Sequence, residues 1–175
     1  MKKIFLIALL MILIFSCTQK ERVCVLQTNY GTMIFKFYTE DAPNTCAQIQ
    51  QLVEEGFYNG KEFYRVVKGH VIQTGGGGEK IKAEFNDNKH IKGTVGLARD
   101  NDPDSGDSSF YICLAPRPHL DGKYTVFGQL IQGMEVLEKI GNVEVNEKFV
   151  GEDSSIAFHE PKEPVVIEKA SIKLQ

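Results

Sequence analysis

From Val23 onward the chain is built of short apolar stretches whose period changes from segment to segment. "VCVLQTNYGTMIFKFY" sets a short, mainly apolar run on either side of "NYG". That predicts two strands joined by a turn. In "DAPNTCAQIQQLVEEGFYNG" the period lengthens, with Cys46, Ile49 and Val53 at helical spacing. Asp41 as cap, Pro43 near the first helical position and Gly56 as terminator delimit this helix. "EFYRVV" and "HVIQT" predict short strands about "KG", and "GTVGLA", "SSFYICLA" and "YTVFGQLI" predict three more. "GMEVLEKIG" predicts a second, short helix and "EPVVIEKASIKLQ" a final strand. Many short strands with two helices make a mainly β, closed or nearly closed barrel. The length of 175 residues suits one such domain, over 23–175.

The N-terminus is different. Lys2 and Lys3 precede twelve apolar residues, Ile4 to Phe15, too short for the roughly 20 of a membrane span but fitting the apolar part of an export signal. The run ends in "IFSC", which resembles a bacterial lipoprotein cleavage box. This resemblance implies a signal peptide over 1–16, lipid on Cys17 and anchoring at the bacterial cell envelope, on the periplasmic or surface face of a membrane. Phe15 is bulkier than the small residue often found there, and plain secretion and an uncleaved anchor are the alternatives. A tether of Thr18 to Arg22 would hold the domain within roughly 17 Å of the lipid.

A formal charge of −3 argues against a nucleic-acid partner, which calls for a basic face. Cys24, Cys46 and Cys113 form no Cys-x-x-Cys or Cys/His ligand pattern, so no metal is expected. Buried free thiols are the preferred reading, with one disulfide and a spare thiol as the alternative.

Two motif-like stretches carry less than they suggest. "GGGGEK" lacks the Gly-Lys-Ser/Thr ending that lets a loop and its lysine converge on phosphates. "DNDPDSGDSSFY" spaces its aspartates like a calcium loop but has Ser105 and Tyr111 where glycine and a bidentate glutamate belong; an acidic turn held by side-chain-to-backbone hydrogen bonds is expected. There is no Gly-x-Ser-x-Gly elbow, and His70, His90, His119 and His159 taken singly read as structural.

Taken together, "EFYRVVKGHVIQTGG", "GTVGLARDNDPDSGDSSFYICLA" and "HLDGKYTVFGQLIQGMEVLEKI" resemble the three signature segments of the cyclophilin family of peptidyl-prolyl isomerases. The approach "GTMIFKFYTEDAPNTCAQIQQLVEEGFYNG" fits as well, so the resemblance spans about residues 23–174. It implies a closed eight-stranded antiparallel β-barrel capped by two α-helices. It also implies catalysis of X–Pro cis–trans isomerisation without a cofactor, by a monomer acting on proline-containing polypeptides.

By motif position, the resemblance makes Arg65 the catalytic arginine and Gln73 the glutamine that orients it. His70, Val71, Tyr111 and Leu120 would line a proline socket, with His119 and Tyr124 at its rim. Ala98, Arg99 and Ser109 fall where neighbouring substrate residues lie, and the glycines after Gln73 would form a tight turn beside the site. The family usually has phenylalanine at positions 70 and 111 and glutamine at 109. Tyr111 is a mild change if its hydroxyl finds a partner, whereas Ser109 shortens a hydrogen-bonding arm. A neutral His70 offers a flat wall, while its charged form would be desolvated and repelled by Arg65. Activity should therefore fall on acidification through a depressed pKa, unless His70 points away from the socket. An exported isomerase acting on unfolded or flexible proteins of the cell envelope is the main reading. A proline-peptide binding or chaperone module with little turnover is the alternative, and a surface lipoprotein that engages partner proteins is a third.

Overall fold

The computed structural model describes residues 20–150 and 156–175. The signal segment 1–16 and Cys17 expected from the sequence lie outside the described residues. Ten strands and two helices follow in the order β1 (Arg22–Thr28), β2 (Gly31–Phe37), α1 (Pro43–Glu54), β3 (Arg65–Val67), β4 (Val71–Thr74), β5 (Thr94–Leu97), β6 (Phe110–Cys113), β7 (Val126–Gln132), α2 (Met134–Gly141), β8 (Val145–Val150), β9 (Ile156–Pro161) and β10 (Ile167–Leu174). Among the described residues no helix is long and apolar enough to cross a membrane.

Eight strands form one antiparallel sheet in the order β10-β1-β2-β7-β5-β6-β4-β3. The expected strand number, antiparallel pairing and two helices are all present, but "closed" overstates the sheet. Its edge strands β3 and β10 share no ladder. They are joined by one isolated bridge, Glu62–Val166, where the segment ahead of β3 meets the start of β10: Phe63 N–H donates to Val165 O at 2.8 Å and Ile167 N–H to Lys61 O at 2.8 Å. With β3 only three residues long, the result is a half-barrel. Strands β8 and β9 pair only with each other, a hairpin the sequence reading left unassigned.

Inward-facing residues of the sheet build the core. Phe35, Phe110 and Phe127 meet with ring centroids 6.1–6.2 Å apart, and Tyr58 packs edge-on to Phe110 at 5.4 Å. All four are essentially inaccessible, and each such side chain contributes on the order of 1.5–3 kcal/mol by leaving water. Tyr58 can be buried because its hydroxyl donates to Ser108 O at 2.7 Å. Cys24, Cys46 and Cys113 are buried free thiols, as preferred from the sequence.

Helix α1 buries Cys46, Ile49 and Val53 as its spacing predicts, with Pro43 in its first turn. Its cap differs from the expectation. Ala42 stands at the N-cap and offers no side-chain bond, while the Asp41 carboxylate accepts from Asn88 Nδ2 at 2.8 Å instead. Glu84, from a distant loop, supplies the missing acceptor. Its two oxygens accept from the backbone N–H groups of Asn44 (3.0 Å) and Thr45 (2.8 Å) and from both side chains. The carboxylate thus meets unpaired donors at the positive end of the helix.

Candidate active site

Strand register assembles the site. Arg65 on β3 is paired with Gln73 on β4, Gln73 with Tyr111 on β6, and Tyr111 with Gly96 on β5. Paired residues of neighbouring strands share a face, so these four form one row across the sheet. The next row, Val66, Ile72, Ile112 and Val95, points the other way and is fully buried. One residue further, Val71 and Cys113 return to the face of the site. Val71, Tyr111 and Cys113, with Ala98, Leu120 and Tyr124 packed against them, make a small apolar cluster separate from the main core.

Above this cluster opens a cavity of about 170 Å³. Nine of the eleven residues assigned to the site from the sequence line it: Arg65 and Gln73 at one side, His70, Val71, Tyr111 and Leu120 around the socket, and Ala98, Arg99 and Tyr124 at the mouth. Ser109 lies instead in an adjoining cavity of about 160 Å³, which shares Gln73, Ala98 and Arg99 with the first. His119 lines neither; its ring stacks on that of His70 with centroids 6.0 Å apart.

The polar pair is fixed in orientation. Arg65 Nη1 donates to Gln73 Oε1 at 3.0 Å, and Gln73 Nε2 donates to the Tyr64 hydroxyl at 2.7 Å. Burial lowers the Arg65 pKa, with Tyr64 and Tyr124 opposing, and a guanidinium starting above 12 stays charged. Arg99 is a strut rather than a free loop residue. It lies 4.4 Å from the centroid of the Tyr124 ring and donates to the carbonyl oxygens of Asp100 at 2.7 Å and Lys123 at 2.9 Å.

His70 turns toward the cavity, which removes the reading in which it points away. Burial, then the nearby positive charges of Arg117 and Arg65 and the neighbouring His119, push its pKa down to about 4. The wall it presents at neutral pH is therefore uncharged imidazole.

Tyr111 has the hydroxyl partner that its substitution for an apolar ring requires. Its hydroxyl lies 2.8 Å from His90 Nε2, and His90 Nδ1 lies 2.9 Å from Asp121 Oδ1. The carboxylate can only accept, so the proton sits on Nδ1, and the bare Nε2 accepts from Tyr111. A Cβ at position 96 would collide with the Tyr111 ring end, so Gly96 makes room for the hydroxyl. Tyr64, His90 and Asp121 were not among the site residues expected from the sequence. His90 read as structural, a role its 1% exposure supports. Asp121 stood in "HLDGK", but no spacing rule links it to a histidine thirty-one positions upstream.

The glycines form the expected turn. Gly75 to Gly78 all have positive φ, and a side chain at Gly75 would meet the Ser108 backbone. Gly76 N–H donates to Ser108 Oγ at 3.0 Å and Gly77 N–H to Asp107 Oδ2 at 2.9 Å. The acidic turn behaves as read too, with Asp102 Oδ1 accepting from Asp104 N–H at 3.0 Å and Asp107 Oδ1 from Ser109 N–H at 2.7 Å.

Comparison with known proteins agrees with this geometry. The family described as "Cyclophilin type peptidyl-prolyl cis-trans isomerase/CLD" matches residues 23–172. A peptidyl-prolyl cis-trans isomerase of Synechococcus elongatus is 44% identical over 113 residues, covering 60% of this chain and 77% of the relative. One of Helicobacter pylori is 38% identical over 143 residues, covering 75% and 87%. Among solved structures, a cyclophilin type peptidyl-prolyl cis-trans isomerase of Cryptosporidium parvum, crystallised in the presence of the dipeptide Ala-Pro, superposes with a TM-score of 0.74 at 27% identity, covering 86% of this chain and 98% of its own. The protein belongs to the cyclophilin-type peptidyl-prolyl cis–trans isomerases.

Proposed function

We propose that this isomerase turns over X–Pro bonds in unfolded or flexible proteins of the bacterial cell envelope, with Arg65 stabilising the twisted amide. Amide resonance sets a barrier of about 18–20 kcal/mol, so the uncatalysed rate at the upper figure is on the order of 0.01 per second. As the bond twists, the proline nitrogen regains its lone pair and becomes an acceptor. A donor aimed at that nitrogen binds the twisted amide more tightly than the planar one, and only such a difference accelerates the step. One observation carries the reading: Gln73 Oε1 holds Arg65 Nη1 at 3.0 Å at the side of a cavity of about 170 Å³ that Val71, Tyr111 and Leu120 help to line. In this reading Val71, Tyr111 and Leu120 hold the proline ring with His70, and Ala98, Arg99 and Ser109 meet the residues before it.

Replacing Arg65 by lysine tests this reading, because it keeps the charge and loses the planar fork. Turnover of an Ala-Pro peptide should fall about 100-fold while peptide affinity is kept within a small factor. Unchanged turnover would refute the directional role of Arg65. A wild type that binds the peptide without accelerating it would instead favour the binding module.

Export and lipidation rest on "MKKIFLIALLMILIFSC" and place the enzyme where slow X–Pro bonds delay folding of exported chains. Cys17→Ser should move the protein from the membrane fraction to the soluble fraction. Retention in the membrane fraction would contradict the lipid anchor.

A further inference from the structure

We propose that Phe158, on the hairpin outside the main sheet, is a positioning residue for the Arg65–Gln73 pair and acts through Tyr64; this rests on the catalytic assignment of Arg65. Gln73 has two ends of opposite polarity, and only one orientation serves Arg65. With Nε2 donating to the Tyr64 hydroxyl at 2.7 Å, Oε1 is left to accept from Arg65 at 3.0 Å. A flipped amide would turn its N–H groups toward the guanidinium, donor against donor. Arg65, which can only donate, thus selects the end of the amide that faces it, and the Tyr64 hydroxyl, by accepting from Nε2, fixes where that amide sits.

Tyr64 precedes the first residue of β3 and is only partly buried, so the sheet ladder does not fix its ring. Phe158 of β9 does. The two rings stack with centroids 6.1 Å apart and planes 3° from parallel. Strand β9 pairs only with β8, where Phe158 stands opposite Lys148, and β9 lies close to β3. An element outside the eight-stranded sheet thus reaches the guanidinium in three contacts: ring on ring, amide to hydroxyl, guanidinium to amide. Aromatic pairs contribute beyond their burial, and small misplacements of a catalytic group cost rate far more than binding.

The test compares wild type, Phe158→Leu, Phe158→Tyr, Tyr64→Phe and Arg65→Ala by steady-state turnover, thermal unfolding and NMR of the Gln73 side-chain amide. Phe158→Leu should broaden or shift the Gln73 amide signals and lower kcat about tenfold with KM little changed. Phe158→Tyr, which keeps the stack, should restore both. Tyr64→Phe, which leaves the hairpin whole, should reproduce the Gln73 change and so serves if Phe158→Leu does not fold. Wild-type Gln73 signals and kcat in Phe158→Leu would overturn the proposal, as would a loss of kcat with the Gln73 signals unmoved. Full turnover in Arg65→Ala would overturn the catalytic assignment alone, and the Gln73 signals would still decide whether Phe158 positions the pair.

Discussion

His70 puts a titratable ring where an apolar wall would serve, and the structure fixes the pH at which that matters. Burial and the neighbouring cations hold its pKa at about 4, so turnover should stay level through the neutral range and fall as pH drops through that value. The unfolded chain takes up the proton first, near the ordinary 6.5. The stability that neutral His70 contributes is thus full above 6.5 and is lost as pH falls toward about 4. His70→Phe should raise turnover and remove its acid limb; a mutant with the same acid limb would show that another group titrates. Tyr111 makes the opposite case, a polar substitution fully absorbed. Tyr111→Phe would leave His90 Nε2 buried without its 2.8 Å partner and should cost about 1–3 kcal/mol of unfolding free energy. Denaturant melts showing no loss would contradict the Asp121–His90–Tyr111 arrangement.

At the scale of elements, local periodicity was legible and long-range pairing was not. Cys46, Ile49 and Val53 declared the buried face of α1, and the strand segments from "EFYRVV" to "YTVFGQLI" contain β3 to β6 and all of β7 but its last residue. Alternation within those strands also fixes which residues can share the row of Arg65, so the site follows once neighbouring strands are known. Glu84 was invisible because its role depends on meeting a helix some forty residues upstream. Hairpin β8–β9 was missed because Glu147 breaks the alternation between Val145 and Phe149. Burial alone would raise the Glu84 pKa, but the hydrogen bonds from Thr45 and Asn44 outweigh it and hold the value below the ordinary 4.5. The stability Glu84 contributes is therefore full above 4.5 and lost as pH falls through its lowered value. Glu84→Ala should destabilise the fold by about 1–2 kcal/mol at neutral pH, and an unchanged melting curve would mean that α1 needs no such cap.

For the whole molecule, the half-barrel separates stability from chemistry. The main core lies behind the inward row, while the socket is a small cluster on the other face. Burial pushes the thiols of Cys46 and Cys113 up to about 12 and that of Cys24 higher still. A Cys17→Ser protein should therefore resist thiol reagents until it unfolds; rapid reaction of the native protein would contradict the burial of all three. The central claim is that Arg65 accelerates rotation rather than merely holding the peptide. Exchange NMR of one Ala-Pro peptide, titrated with wild type and with Arg65→Ala, measures binding and cis–trans interconversion in the same samples. The account predicts interconversion about 100- to 1,000-fold slower in Arg65→Ala, with the peptide still bound. Equal interconversion rates at equal occupancy would contradict it.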